Sequence, residues 1–291
     1  MMRITRLFST TLLFLLSNSA LADALHPLCL DRFAELERGS GIRTMTSLDL
    51  RACQKKYAHL PVDQKSPWLA SFNATSITTG TREEETEVLP AFAAYNLIGQ
   101  MENEQVLVKY VVNYGGSGTF TFGFLFKGLD LDSFPVLDEA LAGKKRSANL
   151  ELVQSFSGGD RCSGGITDLH IVAPDKVSVT RYMTPYELVT LGVSEKQQAK
   201  SYGDLPDCAI CCVGEFTKII NLNGHGKLME VRLTGISLEQ EKEHSKQQTC
   251  LADLVDARGK NLILNRKQLE DLQAAYTAEC TKSNKHPRAT D

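Results

Sequence analysis

Residues 106–126 read VLVKYVVNYGGSGTFTFGFLF, and this stretch decides the fold of the chain. Apolar or aromatic side chains occupy every second position on both sides of the glycines, at Val106, Val108, Tyr110, Val112 and Tyr114, and at Phe120, Phe122, Phe124 and Phe126. This period is typical of a strand with one buried face. Gly115-Gly116-Ser117-Gly118 favours a turn, so we predict a β-hairpin whose phenylalanine row is core rather than a binding groove.

A second hairpin is predicted over residues 215–236, with its turn at residues 223–226. Period-two patterns predict further strands at residues 150–156, 165–173 and 176–182. After these strands, Thr184-Pro185-Tyr186-Glu187 has the pattern of a capping box with proline in the first turn. It predicts a short helix that ends near Gly192.

Helical patterns lie at both ends of the chain. Near the N-terminus, an apolar stripe precedes a glycine-containing break at residues 38–41, and a helix is predicted to restart over residues 47–53. Near the C-terminus, Asn265 and Gln268 can cap a last helix with one apolar face. The chain is therefore predicted to have an α+β fold, with an antiparallel β-sheet or sandwich core and disulfide-bridged helices at both termini.

The same patterns predict the domain organisation. Residues 1–22 are assigned to a cleaved signal peptide, 23–62 to an N-terminal helical hairpin, 63–237 to a mainly antiparallel β core, and 238–291 to a C-terminal helical segment. No internal repeat or low-complexity linker divides the chain. We therefore expect one compact unit.

The start of the chain has the features of an export signal. Arg3 and Arg6 precede an apolar run, and small residues up to Ala22 form a cleavage pattern, so the mature chain is predicted to begin at Asp23. No later stretch approaches the roughly 20 apolar residues that a membrane-spanning helix needs. The mature chain would carry 30 basic and 35 acidic side chains, a net charge of −5, which disfavours nucleic acid as a partner. We expect a soluble periplasmic or secreted protein.

An even number of cysteines in an exported chain predicts a disulfide framework. The eight cysteines form an N-terminal, a central and a C-terminal group: Cys29 and Cys53; Cys162, Cys208, Cys211 and Cys212; Cys250 and Cys280. The simplest scheme pairs cysteines within each group. The C-terminal pair fits less well, because side-by-side helices would place the two residues about 15 Å apart. Cross-pairing with the N-terminal cysteines therefore stays an alternative.

The densest unusual segment is residues 157–165, where Gly158, Gly159, Asp160 and Arg161 precede Cys162. Its backbone amides and Arg161 could bind an anion, but the segment does not have the P-loop pattern. We favour a tight loop in which Asp160 and Arg161 pair and the cysteine bridges to another element. This loop and Gly115-Gly116-Ser117 are the candidate binding loops.

Cys208-Ala-Ile-Cys211-Cys212 allows three interpretations. A C-x-x-C pair can be a redox centre, and with Cys162 and His170 it could bind zinc. A structural role needs fewer assumptions, because adjacent cysteines in an extended segment point to opposite sides and need different partners. We expect at least one bridge between this segment and the loop at residues 158–165.

Hydrolase motifs are missing from the sequence. The only candidate base is His170, with Asp160 or with Asp168, which alternates with His170 on one side of a predicted strand. We predict no catalytic, cofactor-binding or metal-binding residues and no cofactor. The favoured hypothesis is a non-catalytic periplasmic binding protein with a protein partner in the cell envelope, such as an inhibitor or immunity protein against an envelope-directed hydrolase. The alternative is an enzyme, either thiol-redox or a hydrolase that uses His170.

Overall fold

The helices and strands of the first half of the chain run in the following order. Helix α1 spans Leu28–Glu37, strand β1 Ser47–Asp49 and helix α2 Leu50–Tyr57, and then come strands β2 (Ala70–Asn73), β3 (Ile77–Thr79), β4 (Glu87–Leu89), β5 (Phe92–Gln100), β6 (Val106–Asn113), β7 (Phe120–Lys127) and β8 (Asn149–Asp160). The computed structural model describes residues 24–37, 47–64, 67–74, 77–79, 87–89, 91–128, 149–193, 205–222, 226–234, 245–259 and 261–281. The predicted signal peptide, residues 1–22, lies outside these ranges.

The second half adds more strands and the C-terminal helices. Strand β9 spans Ile166–Ala173, β10 Lys176–Met183, helix α3 Pro185–Thr190, β11 Gly214–Asn221, β12 Lys227–Leu233, helix α4 Lys246–Asp256, β13 Ile263–Leu264 and helix α5 Arg266–Glu279. The centre of the predicted turn between β11 and β12, at residues 223–225, lies outside the described ranges.

The strands form two large antiparallel sheets and one small one. The first sheet has the order β1-β8-β7-β6-β5-β2, the second β13-β12-β11-β10-β9, and β3 pairs with β4. With five helices in the described ranges and disulfides Cys29–Cys53 and Cys250–Cys280 near the termini, the predicted α+β fold is confirmed. No described helix is long and apolar enough to cross a membrane.

The hairpin predicted at residues 106–126 is formed by β6 and β7, with Val106 opposite Phe126 and Val112 opposite Phe120. Its aromatic row packs under α1, where the Phe33 ring lies 5.0 Å from the ring of Phe126. Phe122, Phe124 and Phe126 are at most 2% exposed, so the prediction that this row is core is confirmed.

The other face of the first sheet packs against the second sheet. Leu107, Leu125 and Phe156 from the first sheet form one buried cluster with residues of β9 and β10, among them Leu169 and Val179. A Cβ atom added at Gly123 would lie 2.9 Å from a methyl group of Leu169. A larger residue at Gly123 would therefore require Leu169 to shift where β7 packs against β9.

The N-terminal helices cover the first sheet. The predicted boundary of the second of these helices is wrong. Ser47–Asp49 does not belong to a restarting helix; it pairs with β8, with Leu48 opposite Leu150. Helix α2 begins after it because the side chain of Asp49 accepts hydrogen bonds from the amides of Arg51 and Ala52.

The C-terminal helices pack on the second sheet around Leu272 and Tyr276. Capping boxes are present at both predicted helix starts, with Thr184 and Glu187 in α3 and Asn265 and Gln268 in α5. Cys250 pairs with Cys280, so the cross-pairing alternative is wrong. The two helices are not joined by a short turn, because strand β13 lies between α4 and α5.

Candidate functional site

The two glycine-rich loops singled out in the sequence lie side by side. The backbone amide of Thr119, at the end of the β6–β7 turn, donates a 2.6 Å hydrogen bond to Oδ1 of Asp160. Asp160 is the last residue of β8 and lies opposite Phe120 in the sheet register. A single carboxylate therefore joins the loop at residues 113–119 to the loop at residues 160–165.

Asn113 organises the first of these loops. Its side-chain oxygen accepts the amide of Gly115 at 2.8 Å, and its side-chain nitrogen donates to the carbonyl of Gly116 at 3.0 Å. Gly115 has a φ of +86°, a conformation that glycine adopts without strain. The polar groups of the turn are thus satisfied mainly within the turn.

The second loop is tight and internally paired. Nε of Arg161 lies 3.0 Å from Oδ1 of Asp160 and its Nη2 lies 3.2 Å from Oδ2, a two-point ion pair. A Cβ atom at Gly159 would lie only 1.5 Å from the carbonyl oxygen of Ser163, so glycine is required there by close packing of the backbone. Two residues of this loop have positive φ, Gly164 at +77° and Arg161 at +46°. These contacts support the tight-loop interpretation over an anion cradle.

The cysteine-rich segment is the third part of this region. Cys162 forms a disulfide with Cys212, and its backbone amide donates to the carbonyl of Ala209 at 3.3 Å. Cys208 pairs with Cys211 inside the segment. The expectation that Cys211 and Cys212 take different partners is thus met. We call the region formed by residues 113–119, 160–165 and 208–212 the three-loop end.

The tip of the third loop is apolar and exposed. Ile210 lies inside the ring that Cys208 and Cys211 close, and its side chain is 65% exposed. This is the highest exposure of any large hydrophobic residue in the described ranges. Sequence reasoning did not single out Ile210, because the pairing of Cys208 with Cys211 was left open.

The carboxylate of Glu187 lies next to the loop at residues 160–165. Glu187 accepts the backbone amide of Thr184 at 3.0 Å and lies under the loop, next to Gly164. Burial raises the pKa of the Glu187 carboxyl above its ordinary value, and the nearby charge of Asp207 adds to that rise. The Thr184 hydroxyl donates to Asp207 at 3.0 Å, which connects the start of α3 with the start of the cysteine-rich segment.

The disulfides decide against the zinc interpretation. All eight cysteines are paired, so Cys162, Cys208 and Cys211 have no thiolate to offer to a metal in this state. Within the described ranges, no group of three His, Cys, Asp or Glu side chains is placed to hold a metal ion.

The predicted pair of Asp168 and His170 is formed, but it lies on β9, outside the three-loop end. Nδ1 of His170 lies 2.9 Å from Oδ2 of Asp168 on β9, and both side chains are at least half exposed. Ser178 lies opposite His170 on β10 and could have served as a nucleophile. Within the described ranges, however, His170 bonds to Asp168. The candidate base therefore has an orienting carboxylate and no bonded nucleophile. Asp160, the other carboxylate considered for this role, is instead paired with Arg161.

A cavity of about 250 Å³ lies on another part of the second sheet, beside the start of α5. Two cations line it, but both already interact within the protein. Arg266 pairs with Glu270 at 2.9 Å, and the ammonium group of Lys218 lies 5.1 Å from the ring centre of Phe216. Burial lowers the pKa of Lys218. The cavity therefore offers little free charge to a ligand, and we regard the three-loop end as the better candidate site.

Comparisons with protein-family models, with curated proteins and with solved structures found no match to this chain. A functional assignment therefore depends on the residues of the chain itself.

Proposed function

We propose that this chain is an exported, disulfide-stabilised protein that binds another protein of the cell envelope through its three-loop end and has no catalytic chemistry of its own. The four disulfides are compatible with an extracellular, disulfide-stabilised protein. The predicted signal peptide, with cleavage before Asp23, supports export to the periplasm.

The observation that carries the proposal is the rigid presentation of Ile210. Two disulfides hold the residues on either side of it, and the amide of Cys162 binds the carbonyl of Ala209 directly before it. A loop whose backbone is already held in the free protein loses little conformational entropy on binding. An apolar side chain on such a loop suits insertion into an apolar pocket of a partner.

Charged groups at the same end add specificity. The side chain of Arg161 is 41% exposed and Asp207 is exposed, whereas the Asp160 side chain is 18% exposed. A central apolar residue with polar and charged groups around it is the usual arrangement of a protein-binding surface. The partner is therefore expected to present an apolar pocket with polar groups at its rim.

An active-site cleft has this shape, since such clefts are concave and mostly apolar with a few polar groups. We therefore assign the partner to the envelope-directed hydrolases, which the protein would block as an inhibitor or an immunity protein. Blocking a cleft needs a rigid surface and no nucleophile of its own, which agrees with the missing hydrolase motifs.

The test is capture of the partner by the immobilised, oxidised protein from the envelope extract of its own cells and of competing strains. The variant Ile210→Asp places a charge at the tip, and Ile263→Asp is the matched control, because Ile263 is 57% exposed on β13, an edge strand of the second sheet outside the three-loop end. We expect one stoichiometric protein partner with the wild type and Ile263→Asp, and its loss with Ile210→Asp. Equal capture by both variants would show that the three-loop end is not the binding surface.

A hydrolase that uses His170 is the second candidate, supported by the 2.9 Å contact between His170 and Asp168. The variant His170→Ala tests it. If a hydrolytic activity of the purified protein survives this substitution unchanged, His170 is not its base. If the activity is abolished while the fold is kept, the non-catalytic proposal is overturned.

A further inference from the structure

The Cys208–Cys211 disulfide differs from the other three in accessibility. In every other bridge at least one cysteine is buried: both residues of Cys29–Cys53, Cys162 of its bridge with Cys212, and Cys280 of its bridge with Cys250. Neither Cys208 nor Cys211 is buried. Thiol–disulfide exchange requires a thiolate to reach a sulfur atom, and this is the one bridge of the four in which both cysteines are partly exposed.

The same bridge is expected to contribute the least of the four to the stability of the fold. The two cysteines are three residues apart in the chain, against 50 residues for Cys162 and Cys212. In the chain-entropy description, a short loop gives little stabilisation. The ends of the segment are held without it, because the amide of Tyr186 donates to Pro206 and the amide of Val213 donates to Met183. Opening this bridge would free residues 208–211 and leave the strands in place.

We propose that Cys208–Cys211 is a redox-sensitive bond that exchanges with dithiols and thereby regulates the three-loop end, while the other three bridges stay closed. In the oxidised state the ring presents Ile210 in one position. In the reduced state the ring is open and Ile210 is no longer fixed. The regulatory consequence rests on the proposed binding function, whereas the exchange itself does not.

The exchange is a two-electron transfer from a dithiol to the bridge. A thiolate of the dithiol forms a bond to one of the two sulfur atoms, the bond between Cys208 and Cys211 breaks, and the other sulfur leaves as a thiolate that takes a proton from water. The second thiol of the same molecule then attacks the mixed disulfide. The protein is left with two thiols, and the dithiol departs as a disulfide.

The test uses the purified, oxidised protein with dithiothreitol under native conditions. Samples are quenched with N-ethylmaleimide over time, and the labelled cysteines are identified by mass spectrometry. We expect labelling of Cys208 and Cys211 at least about tenfold faster than labelling of the other six cysteines, because exchange depends on access. If these two residues react no faster than Cys162 and Cys212, the proposal is overturned.

Hydrogen exchange separates local opening from unfolding. With Cys208–Cys211 reduced, amide exchange is expected to rise at residues 209–211 and at Cys162, whose amide donates to the carbonyl of Ala209, and to stay slow in β11. A rise that extends through β11 would show that the bridge holds the fold, and would overturn the proposal. The double variant Cys208→Ser/Cys211→Ser reports the same loop opening without a reductant. Failure of these tests leaves the capture experiment with Ile210→Asp unaffected, so the two proposals can fail separately.

Discussion

Asp160 and Thr119 are 41 residues apart in the chain, and the carboxylate of the first accepts the backbone amide of the second at 2.6 Å. The same carboxylate pairs with Arg161. A charged acceptor with two donors contributes more than a neutral hydrogen bond, and it fixes the β6–β7 turn to the β8–β9 turn. Two of the three loops of the three-loop end are joined through this one side chain.

Replacing Asp160 by alanine should therefore lower the free energy of unfolding by about 2 to 3 kcal/mol, since the Thr119 amide and Arg161 lose their acceptor. The measurement is urea denaturation followed by fluorescence. Glu151→Ala is the control, because Glu151 pairs with Lys127 and both side chains are about half exposed. That pair should be worth less than about 1 kcal/mol. Similar losses in both variants would contradict the role given to Asp160.

A methyl group at Gly159 should be far more harmful than one at Gly116. The added Cβ at Gly159 would lie 1.5 Å from the carbonyl of Ser163, whereas nothing lies within 4 Å of a Cβ at Gly116. We expect Gly159→Ala to destabilise the protein by about 3 kcal/mol or more through forced backbone movement, and Gly116→Ala to change stability by less than about 0.5 kcal/mol. Thermal unfolding of the two variants gives the comparison. The prediction is wrong if the two melting temperatures agree.

Removing the two central bridges should have unequal effects on stability. For the loops that Cys162–Cys212 and Cys208–Cys211 close, the chain-entropy relation gives about 4 and about 2 kcal/mol. Double serine variants of each pair, compared by denaturation in urea, test this order. A larger loss for the Cys208 and Cys211 variant would mean that this ring supports the core, against the inference that it can open locally.

The buried His26 should make stability depend on pH. It is 1% exposed, and burial, helped by the positive charge of His59, lowers the pKa of His26 from 6.5 to about 4. Between these values the unfolded chain binds a proton that the folded chain does not, so stability falls as the pH falls. The contribution of neutral His26 to the free energy of unfolding is complete above pH 6.5, and about 3 kcal/mol of it is lost by pH 4.

The variant His26→Asn isolates this effect, because asparagine does not titrate and can still accept the amide of Leu28, which donates to Nδ1 of His26 at 3.2 Å. The stability difference between wild type and variant should shrink as the pH is lowered from 7 to 4, measured by urea denaturation at each pH. A difference that stays constant over this range would show that His26 does not titrate as stated.

Local patterns predicted much of the fold. The β6–β7 hairpin, the capping boxes at Thr184 and Asn265, and the local pairing of Cys29 with Cys53 were all predicted from the sequence and are present. The failure at Ser47 has a tertiary cause: Ser47–Asp49, which ends in the helix cap Asp49, is extended because it pairs with β8. Export and signal cleavage stay predictions.

The sequence by itself determined the α+β class, the strand periods and the starts of α3 and α5, because each of these is set by residues within a few positions of one another. The even number of cysteines indicated a disulfide framework. Only the tertiary structure decided that Asp160 meets Thr119, that Cys162 pairs with Cys212 rather than with Cys211, and that Ile210 is left exposed. The two contacts join segments far apart in the chain. Their geometry, and with it the exposure of Ile210, depends on sheet register and on how the two sheets pack. Local sequence patterns do not specify either of these.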